Sequence, residues 1–484
     1  MILKELIKGL NVLSMSGLEN IDISGIAYDS RKVRKGFLFV CIDGTTVDGH
    51  EYIPQAIENG ASAVVVQKDV KIPEDISVVR TPDTRYALAH ISDAFYGHPS
   101  GRFKLVGVTG TKGKTTTTFM IKSIIESTGK KAGLVGTLGS RIGDRMLYTE
   151  RTTPESYDLQ SLFSEMVDEG VDSVVMEVSS QGLALHRVSC SDYEIGVFTN
   201  LTKDHIGPKE HASMEEYLEA KSILFKMCKK GLVNNDSEHA QEIMRKAECV
   251  LLTFGIEKKS DIMAYDIIKH PQSVEFKVDT PWFSERMKVN IPGKFSVYNA
   301  LAAIGVCGML GISSEAIGAG LEKVQVPGRA ELVSTGKDFS VMIDYAHTPD
   351  SLENILNTVK DYAPGRVVSV FGCGGDRDRT KRPMMGEISG NIADITVVTS
   401  DNPRTEDPEA IVNDIEEGLK KSGGKYIKIV DRREAIKYAL NNALAGDVIV
   451  LAGKGHETYQ TFKDKTIHFD EREVVAEILG ESYE

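Results

Sequence analysis

From about Leu105 onward the chain alternates short apolar runs with longer segments whose apolar residues recur every three or four positions. That alternation of a period near 2 with one near 3.6 predicts a parallel α/β sheet. KLVGVTG, DSVVMEVSS and EIGVFTNL read as strands, and so, later, do SVMIDYAH, RVVSVFGCGG, ITVVTSDN, YIKIVD and DVIVLAGKG. Between the later runs, SLENILNTVKDY, PEAIVNDIEEGLKKSG and REAIKYALNNA read as amphipathic helices. Two separate doubly wound sheets are expected, one before and one after about residue 330. The first hundred residues differ: GIAYDSRKVRKGFLFVCIDG and EYIPQAIENGASAVVVQ predict a small α/β module ending at the GHPSG turn, 97–101. VQVPGRAELVS, with Pro327 and Gly328, marks a second boundary. The expected fold is therefore α/β in three domains, 1–100, 101–330 and 331–484, with no internal repeat and no low-complexity tract.

A length of 484 residues agrees with about three domains. Hydrophobic and charged contents of 41% and 26% are those of a soluble globular protein. No run approaches about 18 uninterrupted apolar residues, and MILKELIKGLNVLSM carries lysines where a leader would have its apolar core, so neither a membrane span nor a signal peptide is expected. The six cysteines are scattered, without a CxxC pair or histidines at zinc spacing. Reduced thiols in a cytoplasmic protein follow, and a structural zinc does not. The net charge of −13 repels polyanions, which argues against nucleic acid as a partner. An anionic substrate must then be held locally, by glycines at strand ends, helix N-termini and single Arg or Lys residues.

GVTGTKGKTTTTFMIKSIIESTG is the strongest single signal for chemistry. A strand runs through a Gly-rich turn into a helix, so that the amides of Gly110, Thr111, Lys112, Gly113 and Lys114 can cradle phosphates at the helix N-terminus. Lys114 would neutralise the outer phosphates and the Thr115 hydroxyl would bind Mg²⁺; the alternative is a glycine turn without a ligand. The general pattern places a glycine where Val108 stands, so the loop is of the compact form GTKGKT. Glu177, near the end of SVVMEVSS, is a costly charge on a buried strand unless metal-bound or paired, and a simple exposed carboxylate if the strand ends before it. In SMEEYLEAKSILFKM, Lys221 interrupts the stripe Met214, Tyr217, Leu224. Taken alone, such a lysine is expected to snorkel. A buried one is pushed toward the neutral amine, which reacts with carbon dioxide to give a carbamate, in effect a long carboxylate for a metal. His205, in NLTKDHIG, is a candidate ligand or a satisfied loop histidine.

GTKGKTT, MEVSSQGLALHRV, NLTKDH, EAKSILF, VYNALAA, PGRAE, DYAHTPDSLENIL, GCGGDRDRTKRPMMG, DNPR and AGKGHETYQ occur in this order, and together they resemble the Mur ligase family over nearly the whole chain. The resemblance implies an N-terminal UDP-sugar-binding module, a central P-loop ATPase domain and a C-terminal Rossmann-like amino-acid domain. It implies a cytoplasmic monomer in which ATP with Mg²⁺ phosphorylates a carboxylate of UDP-N-acetylmuramoyl-L-alanyl-D-glutamate, and an amine of meso-diaminopimelate then displaces the phosphate. By the same resemblance, Gly110 to Thr116 hold ATP with Asn299, Arg329 and Asp344. Thr115, Glu177, His205 and Lys221, the last as a carbamate formed from carbon dioxide, hold metal, and His347 positions the reacting groups. Ser30, Thr45, Thr46, Val47, Thr152, Thr153, Ser179 and Arg187 fall on motifs for the sugar peptide. Leu185 and the spacing of DHIGPKEH depart from the family's pattern, which leaves the role of His211 open.

TSDNPRTE ends the run ITVVT with one arginine behind an Asn-Pro corner. A solvated turn would explain it. The resemblance assigns Asp401, Asn402, Pro403 and Arg404 to the amino-acid site instead, with Arg377, Gly453 and Glu457. Diaminopimelate differs from lysine by a distal carboxylate, which the fork of Arg404 would bind and whose absence would leave that guanidinium unmatched. Glu457 would pair with the distal ammonium. The competing expectations are the same scaffold adding L-lysine, a ligase that adds glutamate to folate, against which DNPR with GKGHE argues, and an ATP-driven switch or binding module.

Overall fold

Apolar residues at successive strand positions are buried on both faces. In the computed structural model of the protein, which describes residues 1–44, 47–147, 149, 151–202, 207 and 211–480, Leu38, Val40, Ala63 and Val65 join one core cluster, while Phe39, Cys41, Val64 and Val66 join another. A strand filled on both faces needs helices on both sides. Thr84–Phe95 covers the first face with Ala87, Leu88 and Ile91, and Ile53–Glu58 covers the second with Ile53 and Ala56. This N-terminal sheet runs in the order Ser14–Ser16, Ser77–Arg80, Ala61–Val66, Phe37–Val40, Gly25–Ala27, parallel except for Ser14–Ser16.

The chain divides into two compact units. The first comprises Met1–Ala264, Asp279–Ser284 and Tyr298–Gly320; the second comprises Tyr265–Val278, Glu285–Val297 and Leu321–Glu484. The first unit contains the N-terminal sheet and a central sheet whose parallel strands run Val250–Gly255, Cys228–Asn234, Tyr193–Phe198, Lys104–Thr109, Ser173–Glu177, Ala132–Gly136. Chain order reverses at Lys104–Thr109: the chain moves to one side of it for Ala132–Gly136 and Ser173–Glu177, then to the other for Tyr193–Phe198. At such a switch point the loops beyond the strands' carboxyl ends diverge and leave a crevice. The loops that open there are 110–113, 178–179 and 199–202.

In the second unit the order is Glu331–Val333, Ser340–Asp344, Val448–Ala452, Val367–Phe371, Ile395–Val398, Tyr426–Lys428, parallel except for the first. The last strand in sequence of this parallel set, Val448–Ala452, sits between the first two. Four motifs therefore leave the same edge: DYAHTP, GCGGDRDR, TSDNPRTE and GKGHE.

All eight strands and three helices read from the pattern are present. Among the elements not foreseen were the parallel strands Ala132–Gly136, Cys228–Asn234 and Val250–Gly255, the antiparallel strands Gly139–Ile142 and Arg145–Leu147, the strands Ile262–Lys269, Val274–Asp279 and Ser284–Val289, and the helix Lys381–Ile392. In that helix Pro383, Gly386 and Gly390 hide the helical pattern. Pro383 falls in the first turn, where it is tolerated, and Gly386 is required by packing: a Cβ there would overlap the Ile415 carbonyl of the helix Pro408–Ser422. No helix among the described residues is long and apolar enough to cross a membrane.

Candidate active site

Gly110, at φ +148°, turns the chain out of Lys104–Thr109 so closely against the next strand's end that a Cβ would overlap Thr199 Oγ1. Thr199 Oγ1 donates to Lys112 O (2.7 Å), and Asn200 Nδ2 donates to the same oxygen (3.1 Å). Asn200 also accepts Lys112 N on Oδ1 (2.9 Å) and Thr111 N on its carbonyl (3.0 Å). The loop is thus clamped by the 199–200 segment before it enters the helix Lys114–Ser127, which Gly113 begins at φ +84°. Lys114 Nζ donates to Gly110 O (2.9 Å) and Thr111 O (3.0 Å). Thr115 and Thr116 are buried in the first turn, and Asn299 Oδ1 accepts from Thr117 Oγ1 (3.3 Å). Val108, where the longer pattern has glycine, is buried inside the strand with its carbonyl accepting from Val178 N (2.8 Å), so the turn starts only at Gly110. Gly110→Ala is expected to push the loop off Thr199 and raise the nucleotide Kd at least about 10-fold, read by isothermal titration, with the thermal midpoint changed little.

Glu177 ends Ser173–Glu177 opposite Val108 and is 1% exposed, so the alternative of an exposed strand end is ruled out. Its Oε1 accepts from Thr137 N (2.9 Å) and its Oε2 from Thr137 Oγ1 (3.1 Å), and that hydroxyl also meets Thr152 Oγ1 (3.1 Å). Thr153 Oγ1 donates to Glu177 O (2.9 Å) and accepts from Ser179 N (3.0 Å); Ser179 in turn caps the short helix Ser180–Ala184 through Gly182 N. Thr152, Thr153, Glu177 and Ser179 are therefore one connected group.

Lys221 does not snorkel. It is 1% exposed on the helix Met214–Ser222, its Nζ donates to Gly110 O (3.0 Å), and it lies 4.4 Å from the centre of the Tyr217 ring. Tyr217 OH meets Thr111 Oγ1 (3.2 Å), so this helix face is packed directly against the phosphate loop. His211, whose role the sequence left open, is buried and bonds Ser180 Oγ through Nε2 (2.8 Å). Arg187 Nε lies 3.4 Å from Glu155 Oε2, which Arg151 (3.4 Å) and Arg85 (3.7 Å) also face. Three guanidiniums around one carboxylate leave net positive charge there, suited to an anionic ligand. Ser30 Oγ donates to Gln55 Oε1 (2.6 Å) inside the N-terminal module, and Val47 is exposed. Thr45, Thr46 and His205 lie outside the described residues.

In the second unit, Asp344 ends the strand Ser340–Asp344, and its Oδ2 accepts from Ala330 N (2.7 Å). Desolvation pushes its carboxyl up, and Arg329 pulls it back. The Arg329 guanidinium lies 4.8 Å from the Tyr345 ring centre, and His347 bonds Tyr345 O through Nδ1 (2.7 Å). The loops after Val367–Phe371 and Ile395–Val398 interlock: Gly375 N donates to Asn402 O (2.9 Å), and Arg404 Nη1 donates to Gly375 O (2.7 Å). Arg404 is only half-buried, but its backbone is held at φ +52° with its N–H on Thr461 O (3.0 Å). An arginine in the left-handed region costs on the order of 1 kcal/mol and persists only when its surroundings impose it. A loosely solvated turn does not fit that anchoring. Asn402 Nδ2 donates to Glu457 Oε2 (2.8 Å), which joins DNPR to GKGHE, and Gly453, at φ +115°, leaves room for Asp401 Oδ2, which a Cβ would approach to 2.8 Å. Arg377 is exposed beside this group, its Nη1 on Asp376 O (3.3 Å).

Three further cations hold these loops and were not singled out from the sequence. Arg382, fully buried, donates to Glu406 (2.7 and 3.0 Å) and Asp414 (2.9 Å), so Glu406 is a structural partner and holds its carboxyl down at about 2. Arg432 pairs with Glu471 (2.7 Å), both fully buried, and donates to Ser400 O (3.3 Å) and Ala452 O (2.9 Å), the carbonyls just before Asp401 and Gly453. Lys454, in GKGHE, is the third.

A phosphate loop at the switch point of one sheet and a polar four-loop group at the carboxyl edge of another define an α/β protein of the nucleotide-using kind. Family models match over three stretches: the Mur ligase family catalytic domain over 22–96, the Mur ligase middle domain over 108–307, and the Mur ligase glutamate ligase domain over 328–455. The chain belongs to the Mur ligase family. It is 51% identical over 481 residues, 99% of each chain, to the UDP-N-acetylmuramoyl-L-alanyl-D-glutamate--2,6-diaminopimelate ligase of Caldanaerobacter subterraneus subsp. tengcongensis, and 48% identical to that of Clostridium botulinum over 95% of this chain and 96% of that one. A solved structure of a ligase of the same name matches with a TM-score of 0.75 at 30% identity over 99% of each chain.

Proposed function

We propose that this protein uses ATP to join meso-diaminopimelate to the D-glutamyl carboxylate of UDP-N-acetylmuramoyl-L-alanyl-D-glutamate. The observation that carries the reading is the joining of DNPR to GKGHE through Asn402 and Glu457, which puts a carboxylate on the loop bonded to the segment that carries the pinned Arg404. A zwitterionic end group, carboxylate plus ammonium, is what such a pair recognises. The names of the relatives support the substrates.

A carboxylate is a poor electrophile, and transfer of the γ-phosphoryl group of ATP to it gives an acyl phosphate that an amine can attack. The amine's lone pair forms the C–N bond, the tetrahedral intermediate expels phosphate, and the amine gives up a proton. In this reading the amides of 110–114 and Lys114 hold the phosphates, with Asn299, Arg329 and Asp344 on the nucleotide. The helix N-terminus behind Gly113 stabilises the charge that develops on the transferred group. Arg187, Thr152, Thr153 and Ser179 hold the sugar peptide with Ser30, Thr45, Thr46 and Val47, and His347 orients the reacting groups. Arg377, Asp401, Asn402, Pro403, Arg404, Gly453 and Glu457 hold the amino acid.

The buried Glu177 carboxylate and the Thr115 hydroxyl are hard oxygen donors of the kind Mg²⁺ takes, and they fit the family's metal, with His205 as a further ligand. When bound, the ion neutralises charge on the phosphates. The burial of Lys221 against the phosphate loop supports its carbamylation, in which the unprotonated form of the amine adds to carbon dioxide and releases one proton. The reaction is assigned to the cytoplasm, where ATP is supplied. Phosphate release from ATP that requires both the sugar peptide and an amino acid is the expected result; an ATPase indifferent to both would make the protein a switch instead.

A further inference from the structure

Lys454 stands between the glycines of GKGHE with no solvent exposure. An ammonium taken wholly out of water is costly unless its donors are matched. The matching groups here belong to the amino-acid loops: Nζ donates to Glu457 Oε2 (3.2 Å) and to Asn402 Oδ1 (3.3 Å), and it lies 5.6 Å from the Tyr459 ring centre. Asn402 closes the triangle by donating Nδ2 to the same Glu457 oxygen (2.8 Å), and its Oδ1 also takes Thr461 N (3.0 Å). Glu457 is thereby fixed from two sides.

Resting on the ligase reading above, we propose that Lys454 is a positioning residue that fixes Glu457 as an ionised acceptor for the ammonium at the distal end of the diamino acid. The charge count supports this. Asp401, whose buried Oδ2 has no hydrogen-bond partner among the described residues, and Glu457 are two carboxylates against one buried ammonium. One negative charge is left for the substrate's ammonium, and Arg404, on the loop that carries Asp401, supplies the complement for the neighbouring carboxylate.

The groups facing Glu457 are Lys454 from its own loop, Asp401 and Asn402 from 399–404, and Tyr345 from the loop after Ser340–Asp344. Arg329 and His456 stand beside Tyr345, His456 held neutral at about 4 by burial and by these cations. Burial and Asp401 push the Glu457 carboxyl up, while Lys454 and Asn402 pull it back. Removing the ammonium lets it rise further, and a carboxyl below its pKa is protonated and cannot pair with an ammonium. The loss is therefore largest at low pH and is relieved as the pH rises.

The test measures KM for meso-diaminopimelate by phosphate release in wild type, Lys454→Met and Lys454→Arg, from about pH 7 to about pH 9. For Lys454→Met the KM is expected to rise about 10- to 100-fold near neutrality, with the ratio to wild type falling as the pH is raised and the KM for ATP unchanged. Lys454→Arg keeps the charge and is expected to give a ratio independent of pH. A wild-type KM in Lys454→Met, or a raised KM whose ratio ignores pH, overturns the proposal. If Lys454→Met does not fold, a pH-dependent ratio in Lys454→Arg overturns it. Wild-type protein that releases no phosphate with diaminopimelate defeats the ligase reading itself; wild-type response with indifferent variants defeats the role of Lys454 alone.

Discussion

Lys221→Ala is expected to lower ligation by at least about 10²- to 10³-fold, the scale of losing one electrostatic stabiliser in a water-poor site, and added bicarbonate is not expected to restore it. The lysine is buried, its Nζ lies 3.0 Å from Gly110 O, and its helix is packed through Tyr217 onto Thr111. A carbamate there would offer a metal ion a long carboxylate beside the phosphate loop, and alanine supplies neither charge nor reach. Nucleotide affinity separates this role from mere support of the loop. Loss of turnover with ATP bound nearly as tightly fits the carbamate, whereas a variant that keeps most of its rate contradicts it. Absence of an added carbamate mass on intact wild-type protein held in bicarbonate would also count against it.

The second large effect is expected at Arg404. Replacing it by alanine removes the guanidinium pinned by Gly375 O, while leaving the backbone N–H on Thr461 O, and is expected to lower kcat/KM for diaminopimelate by about 10²- to 10⁴-fold, with the KM for ATP nearly unchanged. Selectivity over lysine should collapse, because lysine never used the arginine. A variant that lost nucleotide binding yet kept its amino-acid preference would place Arg404 elsewhere in the mechanism. The same loops make a contrast with Arg377, which is exposed and bonded only to a neighbouring carbonyl among the contacts described, so its removal is expected to cost less.

The eight strands read from the pattern were legible because burial on both faces writes uninterrupted apolar runs, as in SVVME and VIVLA. The phosphate loop was legible because strand, glycine turn and helix follow one another in sequence. The gathering of DYAHTP, GCGGDRDR, TSDNPRTE and GKGHE was not written in periodicity; it follows from Val448–Ala452 being inserted between earlier strands, and only the family resemblance anticipated it. Lys221 shows the limit of the stripe argument: the pattern put it among apolar neighbours, but spacing could not say whether its stem would reach water. Arg382, Arg432 and Lys454 were missed for a related reason. A polar residue in a helix or turn reads as solvated, and for the two arginines the carboxylates that permit burial are remote in sequence, Glu471 lying beyond Arg432 by 39 positions; for Lys454 the partner Glu457 is close in sequence, but the burial itself is set by the remote Asn402 loop. The helix Lys381–Ile392 was hidden by glycines that serve its close packing on Pro408–Ser422.

Phosphate release with ATP, Mg²⁺ and UDP-N-acetylmuramoyl-L-alanyl-D-glutamate, with meso-diaminopimelate and L-lysine compared side by side, decides which amino acid the ligase adds. Stimulation by diaminopimelate and little by lysine is the predicted result. Equal or greater stimulation by lysine would contradict the reading of the Arg404 and Glu457 pair, and stimulation by neither would contradict the ligase itself.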